Sequence, residues 1–214
     1  FSAFARRARE NSIDAMISLG LRYPRAEALR EMDEVIREFS SNYTSHFDKL
    51  LGRLPADCYD GINPALLVAA GMVAYHETKF RELTPFPDVA EVLPRLSRLP
   101  LVLGVITNGL TIKQAEKLIR LNLVSCFHRR AIFISEQVGI WKINPKLYLR
   151  ACETVGVSPQ EAMYVGDHPL LDVDPPNTLG MITVLCRRDG GKKDARPGEE
   201  IPRTRPVYTI GSFS

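Results

Sequence analysis

The sequence predicts an α/β protein: a doubly wound, Rossmann-like, mostly parallel sheet preceded by an α-helical domain. Three observations carry that expectation. Residues 1–84 place their apolar side chains at helical spacing and contain no convincing strand. From Pro85 onward, short apolar runs alternate with amphipathic helices, the pattern of a parallel sheet covered on both faces. The chain of 214 residues is 45% hydrophobic, enough for two units with cores of their own.

The first helix is marked by Phe4, Ala5, Ala8, Ile13, Met16, Ile17 and Leu19, and Gly20 stops it. Pro24 opens the second, with Ala28, Met32, Val35, Ile36 and Phe39 as its apolar stripe. The helix-poor stretch SSNYTS bends or splits it before HFDKLL. PADCYDGINP is a helix-start signal, and ALLVAAGMVAYHETKF after it is apolar enough to be buried on most sides. These elements form a bundle of three or four helices over residues 1–84.

Residues 85–214 then read as the α/β core. PDVAEVLPRLSRL is helical, LVLGVIT a continuous apolar strand, TIKQAEKLIRLNL an amphipathic helix and RAIFIS a strand. NPKLYLRACETVG is a helix with proline at its start and glycine just past its end, the usual asymmetry. AMYVG is a strand, PLLDVDPPNTLG a short irregular helix, MITVLC a strand, and VYTI one last strand after a polar, turn-rich loop.

Composition excludes several classes of function. Apolar runs never reach the roughly 18–20 residues of a membrane span, and FSAFARRARENS has no signal-peptide core. The net charge is +3 with basic residues scattered among acids, so no nucleic-acid surface is expected. The four cysteines, Cys58, Cys126, Cys152 and Cys186, form no CxxC pair and read as free thiols suited to a reducing cytoplasm. The four histidines, His46, His76, His128 and His168, show no metal-ligand spacing, and the first three read as surface or boundary histidines.

In an open parallel sheet, ligands bind beyond the carboxyl ends of the strands. Two strand ends carry suitable chemistry. LVLGVIT runs into Thr107-Asn108-Gly109, a hydroxyl and a flexible turn before a helix, where backbone N–H groups favour an anion. The same three residues are also ordinary helix-capping chemistry. AMYVG delivers Asp167, with Asp172 five residues later, and carboxylates gathered at a sheet edge suit Mg2+. Read alone, Asp167 is a helix cap and Asp172 a solvent-facing residue. Lys142, just before a helix, would offset carboxylate repulsion and bind a phosphate oxygen.

The ordered set GVITNG, VGIWKINPKLY and AMYVGDHPLLDVDPPNTLGM resembles motifs two, three and four of the haloacid dehalogenase (HAD) superfamily over about residues 85–190. The helical first half resembles the cap domain that many members insert between motifs one and two. SSNYTSHFDKLL and VAYHETKF resemble archaeal HAD-like phosphatases, some of them acting on glyceraldehyde 3-phosphate. The resemblance implies a Mg2+-dependent phosphohydrolase for a small phosphorylated substrate, working through an aspartyl-phosphate. By motif, Thr107 and the Asn108 N–H would bind the phosphoryl group and Lys142 would steady the transferring charge. Asp167 would hold Mg2+, and Asp172 would support the metal or Lys142. Tyr43, His46 and Phe47 are cap residues that either touch a substrate or form a boundary between helix faces.

Three departures from the family pattern stand out. Ile143 follows the lysine where proline is common, with Pro145 two further on, and Pro175-Pro176 replace a Gly-Ala pair, so the helix there should start late or be irregular. Motif one, an apolar strand followed by DxDxT or DxDxS, is not found among these residues. The expectation is a chain lacking the leading strand and nucleophile, and therefore inactive by itself. Two alternatives stay open: a non-catalytic HAD-fold binding or regulatory protein, and a dehalogenase, which needs no Mg2+. A nucleotide-dependent dehydrogenase would need a GxGxxG turn, which the chain does not contain. Oligomeric state is not readable from these residues.

Overall fold

The computed structural model describes residues 2–40, 42–188 and 203–213. They form two compact units, Phe1–Leu83 and Thr84–Ser214.

The first unit is helical: α1 (Ser2–Ser18), α2 (Arg25–Phe39), α3 (His46–Leu51) and α4 (Pro64–Glu82), with a 3-10 turn at Ala56–Tyr59. The SSNYTS stretch splits the second predicted helix: α2 ends at Phe39 and α3 begins at His46. Asn63 caps α4 by accepting the Ala65 N–H at 3.0 Å, with Pro64 as the first helical residue, where its missing donor costs nothing. Ile13, Met16, Met32, Leu50 and Leu67 form the centre of the core.

α4 departs from the expectation of burial on most sides. Of its residues only Leu67, Gly71, Thr78 and Lys79 are buried, while Leu66, Met72 and Val73 are exposed. A bundle this small offers α4 neighbours along one stripe, mainly α1, so overall hydrophobicity overstates its burial. Phe47 belongs to the core, Tyr43 stacks edge-on to His46 at 5.6 Å, and His46 Nε2 lies 2.8 Å from the Ser40 carbonyl.

The second unit runs α5 (Pro87–Leu96), β1 (Val105–Thr107), α6 (Thr111–Arg120), β2 (Ile132–Ile134), α7 (Ser135–Val138) and α8 (Lys146–Val155). It continues with β3 (Met163–Gly166), α9 (Pro169–Asp172), α10 (Asp174–Asn177), β4 (Ile182–Cys186) and β5 (Tyr208–Ile210). All ladders are parallel, as the alternation predicts. Pro175 and Pro176 fall in the first turn of α10, where proline is tolerated, and α9 and α10 are the expected irregular helix in two pieces. Residues 189–202 of the predicted turn-rich loop lie outside the described residues.

The sheet is in two parts, β1-β2 and β3-β4-β5. Helix α8 spans them. Leu147 and Ala151 pack with Phe133, whereas Tyr148 and Cys152 pack with Tyr164, and Ile106 of β1 belongs to both clusters. The apolar run 101–107 pairs only over Val105–Thr107, because β2 begins opposite Val105, and Leu101 and Val102 stay exposed. α7, with Gly139 in the left-handed region at its end (φ 74°), was not anticipated from SEQV.

A clamp distant in sequence closes this unit. Arg188, just past β4, grips Asp88 of α5 through two bonds of 3.0 and 2.5 Å, and Asp88 also accepts the Phe213 N–H at 2.8 Å. The guanidinium lies 4.4 Å from the Phe86 ring centroid. The Arg188 bond, followed by that N–H, holds the Asp88 carboxyl down at about 2. A depressed carboxyl stabilises the fold fully above its unfolded value near ~4, and the contribution is lost as pH falls through the folded value. Asp88→Asn should therefore lower stability by a constant amount at neutral pH, with the gap to wild type closing as the pH drops from about 4 to 2. Urea titrations across that window check this; a difference that ignores pH would count against it.

Candidate active site

The site is built on the loops that leave β1, β2 and β3. Asp172, in the last turn of α9, is almost fully buried, with its side chain 2% exposed. Its Oδ1 accepts the Lys142 ammonium at 2.8 Å and lies 3.3 Å from the Tyr164 hydroxyl. Its Oδ2 accepts the backbone N–H groups of Asp167 (3.0 Å) and His168 (2.9 Å). Four donors thus converge on one carboxylate, which ties the loop after β3 to the lysine.

Lys142 is placed from both ends. Its backbone N–H donates to Asn108 Oδ1 at 2.9 Å, and its ammonium lies 5.4 Å from the Tyr164 ring centroid. The Tyr164 hydroxyl also lies 3.3 Å from the Ile106 carbonyl, so this side chain bridges β3 and β1. Burial, and then the Asp172 charge, push its ionisation well above the ordinary phenol value, so it stays a donor.

The turn after β1 is held by α7. Gly109 N–H donates to Ser135 Oγ at 3.0 Å, and Thr111 N–H donates to Glu136 at 2.7 Å, which lowers the Glu136 carboxyl. Gly109 takes a φ of 139°, a conformation L side chains avoid. Of the backbone donors around this turn, the Gly109 and Thr111 N–H groups are spent on protein. The Asn108 N–H makes no hydrogen bond among the described residues. The Thr107 hydroxyl donates to Gln114 Oε1 at 3.3 Å.

Four of the five predicted residues, Thr107, Asn108, Lys142 and Asp172, therefore meet at the ends of β1 and β3. The fifth, Asp167, is exposed beside them, and its carboxylate makes no hydrogen bond or ion pair among the described residues. Sequence reasoning missed Tyr164, Ser135 and Gln114. It also missed Gly166, where a Cβ would overlap the Asp172 carboxyl group, a close approach that glycine at a strand end can signal.

Among the described residues no group of three or more His, Cys, Asp or Glu side chains is arranged to hold a metal. Mg2+ needs no such set: it binds through one or two carboxylates plus waters and phosphate oxygens. Asp167 is free for that role, and beside it His168 Nδ1 is buried without a partner, the mark an absent water or hydrated ion leaves. The residues present thus fit Mg2+ at Asp167. The engaged oxygens of Asp172 fit support of Lys142 and the loop.

A Rossmann-like parallel sheet with a charged cluster at its strand ends defines an α/β enzyme core. The sequence profile of the haloacid dehalogenase-like hydrolases matches residues 27–185, and the chain belongs to this family of hydrolases. A glyceraldehyde 3-phosphate phosphatase from Methanopyrus kandleri is 45% identical over 217 residues, covering 98% of this chain and 90% of its own. Its counterpart from Pyrococcus furiosus is 39% identical over 183 residues, 86% of this chain and 73% of its own. Among solved structures, a HAD phosphatase from Thermococcus onnurineus superposes with a TM-score of 0.55 at 23% identity, over 94% of this chain and 88% of that one. A Bacillus subtilis HAD-hydrolase bound to magnesium gives 0.57 at 19% identity, with the same coverage of 94% and 88%. The two structures share the fold with this chain.

Proposed function

We propose that this chain carries the phosphate- and metal-binding side of a Mg2+-dependent phosphomonoesterase for a small phosphorylated metabolite. The observation that carries this reading is the convergence of Thr107, Asn108 and Lys142 on one end of β1, with Asp172 fixing Lys142 and Asp167 left open. The Thr107 hydroxyl and Asn108 N–H bind phosphoryl oxygens, and the Lys142 ammonium offsets the charge of the transferring group. Asp167 would hold Mg2+, whose contribution when bound is further neutralisation of phosphate charge. Asp172 positions Lys142. The glyceraldehyde 3-phosphate named for the relatives makes a triose phosphate the first substrate to try. Residues 1–84 then serve as the helical cap domain, within the cytoplasm.

In this reaction type an aspartate attacks phosphorus and water hydrolyses the resulting aspartyl-phosphate. Of the carboxylates that follow β3, Asp172 is bonded to Lys142, Asp174 accepts the Arg203 and Thr204 N–H groups, and Asp167 is assigned to the metal. The 214 residues as given should therefore show no appreciable turnover of p-nitrophenyl phosphate. Mg2+-dependent turnover that disappears in Asp167→Ala would overturn that expectation. The metal role is read separately through Trp141, the sole tryptophan, next to Lys142 in sequence. With phosphate present, Mg2+ should change its fluorescence in the wild type and not in Asp167→Ala. A response that Asp167→Ala leaves intact removes Asp167 from the metal site.

A further inference from the structure

Gln114, in the first turn of α6, has no role in the proposal above, yet its side chain lies over the turn that follows β1. Gln114 Oε1 is 3.3 Å from Thr107 Oγ1 and 3.3 Å from Lys117 Nζ. Between two oxygens only the hydroxyl can donate, so the Thr107 proton is committed to Gln114. Two donors on one oxygen fix the amide orientation, with the carbonyl toward Thr107 and Lys117. The NH2 end then rests against Gly109, where a Cβ would overlap Nε2. That nitrogen has no acceptor among the described residues.

The acceptor end of Gln114 is thus occupied and its donor end is open, beside an Asn108 N–H that is open as well. A place that offers donors with no acceptor suits a ligand made of acceptors. Phosphate is such a ligand, with several oxygens to share. We propose that Gln114 is a phosphate-binding residue: its Nε2 donates to a phosphoryl oxygen at the Thr107–Gly109 turn. Its carbonyl holds the Thr107 proton until phosphate arrives. When the Thr107 hydroxyl rotates its proton onto phosphate, Lys117 still satisfies the Gln114 carbonyl, so the exchange leaves no orphaned acceptor. This role rests on the phosphate site proposed above and adds a side-chain donor to it.

Binding of inorganic phosphate to the whole chain in the presence of Mg2+, measured by calorimetry, tests the role. Gln114→Glu keeps the shape and keeps an oxygen for Thr107 and Lys117, but replaces the donor with a negative oxygen. It should weaken phosphate binding by about tenfold or more. Gln114→Leu, which removes the donor without adding charge, should weaken it by about threefold to tenfold. Thermal unfolding of each variant shows whether the fold is intact. If Thr107→Ala loses binding while both Gln114 variants bind like wild type, Gln114 is not a ligand and the site reading survives. If the wild type binds no phosphate, or Thr107→Ala binds as well as wild type, the site reading fails and the Gln114 role goes with it.

Discussion

Asp172→Ala is expected to lower the unfolding free energy of the second unit by about 3–5 kcal/mol, measured by urea denaturation. Lys142→Met should cost less, about 2 kcal/mol. The asymmetry follows from what each change strands. Removing the carboxylate leaves the Asp167 and His168 N–H groups and a largely buried ammonium without their acceptor. Removing the ammonium leaves Asp172 with both N–H bonds and the Tyr164 hydroxyl. Lys142 is 15% exposed and can recover part of its hydration, whereas Asp172 at 2% cannot. Equal losses from the two variants would mean that the pair acts through charge alone, and that the loop bonds contribute little.

The residues at the strand ends were legible because chemistry and topology coincide there. An apolar run that stops in Thr107-Asn108-Gly109, and another that stops in Gly166-Asp167, mark the kind of strand end at which open parallel sheets bind ligands, whatever the side chains do next. What spacing could not reveal is how a carboxylate spends its lone pairs. Asp167 and Asp172 look alike as an i, i+5 pair, yet one is exposed and the other is saturated by four donors from three segments. The same limit hid Tyr164: an aromatic residue in a strand is ordinary, and only the separation of β1 from β3 shows it bridging the two. Asp88 and Arg188 are a hundred positions apart, so no local pattern could join them. The helical half was legible for a different reason. Its periodicity and caps are local, and the one misjudged element, α4, was read from total hydrophobicity where the number of available neighbours decides burial.

Gly166→Ala should be the most costly substitution that removes no polar group. A Cβ there would overlap the Asp172 Cβ, Cγ and Oδ2 atoms, and four hydrogen bonds keep that side chain from moving aside. Overpacking against a pinned neighbour should cost about 2–3 kcal/mol. The cause can be isolated by non-additivity. Asp172→Gly deletes all three overlapped atoms, so Gly166→Ala placed on that background should add less than about 0.5 kcal/mol. Ordinary strand strain at position 166 would instead persist in the double variant, as alanine against glycine in a strand depends on the backbone and not on residue 172. If the collapse of the cost is observed, the glycine is required by the approach of the Asp172 carboxylate to the end of β3. That approach also seats the Lys142 ammonium on Asp172, so in the proposed site a methyl group at 166 should weaken phosphate binding as well, although residue 166 carries no chemistry of its own.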